Sequence, residues 1–205
     1  CHGVYLIAGP FATDLPTRKA TIMNFKKHTF RGLTLMEALL FLGLAAVVIV
    51  GAFTLYNNAS SSSRMNEART QLQTFIGGVQ SLYSTSIDYS TVTTDLVISA
   101  NIAPPSAVDD SVAPPILINP WGGTTVIQDA NAAGLGTARE FTVAFNNIPD
   151  EACTAMLSSG LIDQGTVVGI SANGNAEHTD EVTPDVAIAE CNAGASANTV
   201  TFRAR

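Results

Sequence analysis

Arg31-Gly-Leu-Thr-Leu-Met-Glu37 and the apolar run that follows it, Ala38 to Tyr56, decide the fold. A basic patch (Lys26, Lys27, His28, Arg31) ends at Gly32, and from Leu33 to Tyr56 Glu37 is the only charged residue. At about 1.5 Å per residue this stretch predicts a helix of about 36 Å, enough to cross a bilayer core of about 30 Å. Lys and Arg flanks stay on the cytoplasmic side, so everything after Tyr56 is expected outside. Glu37 is the anomaly. An ionised carboxylate in hydrocarbon costs about 3 kcal/mol on insertion scales and calls for a partner. The span contains no Lys, Arg or His. If the chain is cut after Gly32, the new α-amino group of Leu33 becomes a cation at the depth of Glu37. A neighbouring copy then supplies the amine and receives the carboxylate in return.

The same residues resemble the type IV pilins, whose prepilin peptidase cleaves after a Gly and whose fifth mature residue is Glu. Gly32 stands before the cut, Leu33 is the first mature residue and Glu37 the fifth. Type IVa pilins usually begin with Phe; Leu33 departs from that and fits the type IVb group. The resemblance implies an α+β fold, a long N-terminal helix packed on an antiparallel sheet, and no cofactor. It implies a structural subunit with an N-methylated N-terminus. This subunit would be held in the inner membrane of a Gram-negative bacterium and polymerised into an extracellular fimbrium. The partners expected are other copies of itself, the peptidase and the assembly machinery, with a host-cell receptor or other bacteria at the surface. A minor pilin or tip adhesin, a type II secretion pseudopilin, and a plain single-pass anchor with a stray Glu are the alternatives. The expected division is a leader over residues 1–32, a filament-core helix over 33–56, an amphipathic half over 57–84 and a globular head over 85–205. Residues 1–22 match no structural element. MNFKKHTFRG, from Met23, would serve alone as a short leader; otherwise all 32 residues are one long leader.

Charge and cysteine usage agree with that division. From Leu33 onward the chain has five arginines, no lysine and sixteen acids, a net charge of about −11. Such a head has no overall attraction for nucleic acid or an anionic membrane surface. Cys153 and Cys191 lie beyond the span, in the compartment expected to be oxidising, so a disulfide is expected between them. Metal binding is the weaker use, because there is no CxxC and His178 is the only histidine in the head. A Cys pair near the C-terminus is also the pilin pattern, and its separation suits the larger type IVb heads.

Beyond Tyr56 the stretch Asn57–Ser63 is polar but holds no Pro or Gly, so it reads either as helix or as a Ser-rich linker. Met65, Ala68, Leu72, Phe75, Ile76, Val79, Leu82 and Tyr83 then recur at helical spacing and predict one apolar stripe to about Tyr83. Gly77-Gly78 weaken that helix or allow a close approach. The Pro doublets at 104–105 and 114–115 predict a surface loop with one short helix or strand over Ser84–Pro120. Asn119-Pro-Trp-Gly-Gly123 is a turn that leads into strands at Thr124–Gln128 and Glu140–Phe145, with Trp121 as a core anchor. A turn of this kind at the start of the sheet also resembles pilin heads. Pro149-Asp150-Glu151 starts a helix that carries Cys153 and Met156 inward and stops near Gly160. Strands are expected at Thr166–Ile170 and Asn198–Arg203.

Nothing in the chain points to catalysis. Gly169-Ile-Ser171 has the wrong glycine spacing for a nucleophile elbow. His178 lies among Glu177, Asp180 and Glu181 and reads as solvated surface. Asp180, Glu181 and Asp185 lack the spacing of a calcium loop.

Overall fold

Helix α1 (Leu35–Leu82) runs unbroken for 48 residues through the apolar span, the serine stretch and the amphipathic half. The computed structural model describes residues 34–192 and 197–205. The chain divides into two units near Ala46, and of the first only Thr34–Ala46 is described. From Leu35 to Tyr56 the large apolar side chains are exposed, Leu35 at 78% and Tyr56 at 69%. They point in every direction around the helix, as in a segment built for lipid or for neighbouring helices. The serine stretch is helical. It has no Pro or Gly, and Ser costs only about half a kcal/mol per residue in a helix.

Past Met65 the character of α1 changes. Ala68, Leu72, Phe75, Ile76 and Val79 are buried at three- and four-residue spacing, on the stripe predicted from sequence. They share one core with Leu117, Ile127, Val143, Phe145, Ile170, Val200 and Phe202. Each large side chain so buried contributes about 1.5–3 kcal/mol. The two glycines on this half differ. A Cβ at Gly77 would meet open space, whereas one at Gly78 would overlap the Ile102 side chain. Gly77→Ala should therefore raise head stability by about 1 kcal/mol, and Gly78→Ala should lower it by about 1–3 kcal/mol. Denaturant unfolding of the two variants side by side checks this; equal shifts would refute it.

The stretch after α1 is more structured than one short element. It holds α2 (Thr94–Ser99), a 3-10 turn at Pro105–Ala107, and strands β1 (Val108–Asp109) and β2 (Ile116–Ile118). Thr93 caps α2, its Oγ1 accepting from the Leu96 N–H at 3.2 Å. Thr94 ties α2 to the sheet, its Oγ1 accepting from Ile127 N at 2.9 Å and donating to Ile127 O at 3.2 Å.

Strands β3 (Thr124–Asp129) and β4 (Phe141–Ile148) form the predicted hairpin. β4 continues three residues past its expected end because a bulge absorbs Asn146-Asn147, with Asn147 at φ 56°. Helix α3 (Asp150–Leu157) follows Pro149, then β5 (Val167–Ala172), α4 (Pro184–Glu190) and β6 (Asn198–Ala204). The sheet is antiparallel throughout, in the order β1-β2-β3-β4-β6-β5. β6 thus sits between β4 and β5, pairing Phe202 with both Val143 and Ile170. The long helix and antiparallel sheet are the α+β architecture expected from the sequence.

Candidate assembly site

The start of α1 is the first part of the site. Thr34 is its cap: Glu37 N donates to Thr34 Oγ1 at 3.3 Å, and Ala38 N to Thr34 O at 3.0 Å. Thr34 and Glu37 have the spacing of a capping box, and an acid in the first turn complements the positive end of the helix. This start to the helix was legible in the Thr-x-x-Glu signal, which the sequence reading used for assembly alone. The Glu37 side chain is exposed, as are Leu35, Met36, Leu39 and Leu40 around it. The expected cleavage pair, Gly32 and Leu33, lies outside the described residues, and so does the leader.

The second part is the disulfide-bounded end of the head. Cys153 on α3 is bonded to Cys191, the residue after α4, with Cα atoms 5.7 Å apart. Both cysteines are buried. A run of asparagines anchors the same region to the sheet. Asn119 in the Pro-Trp-Gly-Gly turn donates to Asn146 O at 2.6 Å, and its Oδ1 accepts from Trp121 N and Gly123 N. Thr199 Oγ1 donates to Asn146 Oδ1 at 2.9 Å, and Thr199 N donates to Asn173 Oδ1 at 2.9 Å. Asn173 Nδ2 then donates to Glu190 O at 2.7 Å and to Asn198 Oδ1 at 2.8 Å. Asn198 Nδ2 reaches Asp150 Oδ1 at 2.6 Å. The chain of bonds runs from the turn before β3 to the first residue of α3 and the last of α4. Asn198 is fully buried, so its bonds are of the kind that cost most to leave unmade.

His178 is not solvated surface: it is half-buried, its backbone is paired with Ile170, and its Nε2 lies 3.0 Å from Glu190 Oε1. Glu177 is likewise engaged, 2.7 Å from Arg203 Nε, while Glu140 takes Arg203 Nη1 at 2.8 Å. The hydrogen bond that Arg203 donates to Glu177, with that to Glu140 behind it, raises the guanidinium pKa further against the opposing effect of burial. Trp121, expected as a core anchor, does pack against the core, from its rim and half-buried. Ser171 lies within β5, not in a strand-to-helix turn, so no nucleophile elbow forms around it. Among the described residues no group of three His, Cys, Asp or Glu is placed to hold a metal ion.

Comparison with known proteins places this arrangement. A family model described as the N-terminal region of PilS matches residues 62–205. The crystal structure of a type IVb pilin from Salmonella typhi superposes with a TM-score of 0.51 at 31% identity, covering 66% of this chain and 97% of that one. The chain belongs to the PilS family of type IVb pilins. Two curated relatives, from Escherichia coli O111:H- and from Escherichia coli O127:H6 (strain E2348/69 / EPEC), are named as the major structural subunit of bundle-forming pilus. Each is 27% identical over 193 residues, covering 88% of this chain and 96% of the relative. The family is one of structural pilins, not of enzymes. The long helix, antiparallel sheet and Cys153–Cys191 bond are thus a pilin head and its stem.

Proposed function

We propose that this chain is the major subunit of a type IVb pilus, made as a precursor and cut between Gly32 and Leu33 by a prepilin peptidase. Residues 33–56 hold it in the inner membrane of a Gram-negative bacterium until the assembly machinery extracts it. The apolar helices then bundle in the filament core, the amphipathic half over 57–84 carries the head, and residues 85–205 form the acidic outer surface. One observation carries this reading: the helix from Leu35 to Tyr56 is apolar on all sides and exposed along its length. Such a surface needs lipid first and identical neighbours afterwards. The curated relatives, named as major pilus subunits and matched over nearly their whole length, support the same role.

The test is to shear filaments from the native cells and locate the chain on them by immuno-electron microscopy. Label along the whole length is expected. Label at tips alone would make it a minor pilin, and retention in the membrane would leave a pseudopilin or a plain anchor.

Glu37 is proposed to pair with the α-amino group of Leu33 in a neighbouring subunit. Its place in the first turn, exposed and next to the cap, leaves the carboxylate free to do so. Glu37→Ala should be processed and inserted normally. Loss of a pair worth about 2 kcal/mol should reduce assembly by roughly thirtyfold. Sheared filament yield against total mature subunit measures this, and normal piliation would refute the pairing.

A further inference from the structure

Where α1 turns from apolar to polar, an open cavity of about 290 Å³ lies between the helix and the head, lined by Asn57, Ser61, Arg64, Trp121, Pro149 and Glu151. We propose that this cavity receives the headgroup of a zwitterionic phospholipid, of the phosphoethanolamine kind, while the subunit is anchored in the membrane. The proposal rests on the membrane-anchored reading above.

Along α1 the continuous run of exposed large apolar side chains ends with Phe53, Leu55 and Tyr56, with none again before Leu82, and Asn57 begins the cavity wall. At about 1.5 Å per residue, Ser61 lies about 8 Å and Arg64 about 12 Å beyond Tyr56 along the helix. A headgroup layer is about 5–8 Å deep on each side of the hydrocarbon. The cavity floor therefore falls in that layer, and the long Arg64 side chain can reach back into it. Trp121, the only tryptophan of the chain, is half-buried on the same wall, as is usual for a ring at the boundary between hydrocarbon and water.

Arg64 and Glu151 are both exposed, and among the described residues neither takes part in an ion pair. A cation and a carboxylate that face one cavity without meeting each other match a phosphate and an ammonium on one headgroup. A purely anionic lipid satisfies Arg64 but sets its charge against Glu151 and an acidic head. It should be disfavoured.

Because Trp121 is unique, its fluorescence reports on this cavity alone. The full mature chain, from Leu33, is reconstituted into phosphatidylcholine vesicles doped with phosphatidylethanolamine or phosphatidylglycerol, each spin-labelled near the top of one acyl chain. Flotation of the chain with the vesicles is scored first; failure to float would overturn both the anchored reading and the proposal. For chain that floats, labelled phosphatidylethanolamine should quench Trp121, with an enrichment over labelled phosphatidylglycerol of roughly fivefold at equal mole fraction. Arg64→Gln should reduce quenching by both lipids, and Glu151→Gln should abolish the preference between them. Both positions are exposed, so neither change should disturb the fold. Flotation without quenching, equal quenching by the two lipids, or variants that quench as the native chain does would each overturn the proposal and leave the anchor standing.

Discussion

Cells in which Gly32→Ala replaces the native chain should accumulate the full-length precursor and carry no filaments of this subunit. The peptidase must bring the backbone close at the residue before the cut, and a Cβ there obstructs the approach. The downstream effect follows from Glu37. Without cleavage there is no α-amino group on Leu33, so on the proposed pairing each Glu37 lacks its cation. The described helix begins at Leu35, with Thr34 as its cap. The proposed cut leaves that cap in the mature chain, so cleavage should not unravel the first turn. Whole-cell immunoblots should show one slower band in place of the mature one. A mature-sized product from Gly32→Ala would sink the assignment of the site.

Loss of the Cys153–Cys191 bond should be the largest single injury to the head. The bond spans a separation of 38 residues, and closing a loop of that length stabilises the folded state by about 4 kcal/mol in the chain-entropy model. Against a total of about 5–15 kcal/mol for an ordinary domain, that leaves little. Cys153→Ala isolates the cross-link, whereas Cys153→Ser adds an unpartnered hydroxyl at a fully buried position and should cost more. Injury should be local first. α4 is otherwise held by Ala187, by the Asn173 bond to Glu190 O and by the contact of Glu190 with His178. Hydrogen exchange should therefore speed up over 184–191 before it does in β4 or β6. Denaturant unfolding of the native and variant heads checks the magnitude, and a shift under about 1 kcal/mol would refute it.

Much of this fold was legible because it is written in local patterns. The stripe from Met65 to Val79, the hairpin over β3 and β4, and the Pro149 start of α3 each follow from spacing within a dozen residues. Cys153 and Cys191 were legible by compartment rather than by geometry. Long-range partners were not legible. No pattern near Arg203 announces that its guanidinium lies between Glu140 and Glu177, and none near His178 points to Glu190. A run such as Glu177-His178-Thr-Asp180-Glu181 looks solvated when read alone, because the cations and strands that engage it come from elsewhere in the chain. The asparagine chain was hidden for the same reason. Asn119 and Asn173 look like ordinary turn residues and Asn198 like the start of a strand, and the insertion of β6 between β4 and β5 is what brings Asn146, Asn173 and Asn198 into line. At the start of α1 the information was present and read too narrowly. Thr34 and Glu37 mark the start of a helix, whereas Glu37 had been read for the proposed cleavage and assembly motif alone.

The unbroken passage of α1 through Asn57–Ser63 has a mechanical consequence. These seven residues are helical, but six are exposed and only Ser60 is half-buried, so the head braces them little. Under tension they are the turns with least to lose by opening. A residue drawn from helix to extended chain lengthens by about 2 Å, so the stretch can yield about 13 Å per subunit before the core of the head bears load. In a filament of such subunits this short serine-rich segment of every copy is the expected seat of compliance. Replacing serines there by alanine would stiffen it without touching either the apolar stem or the outer surface.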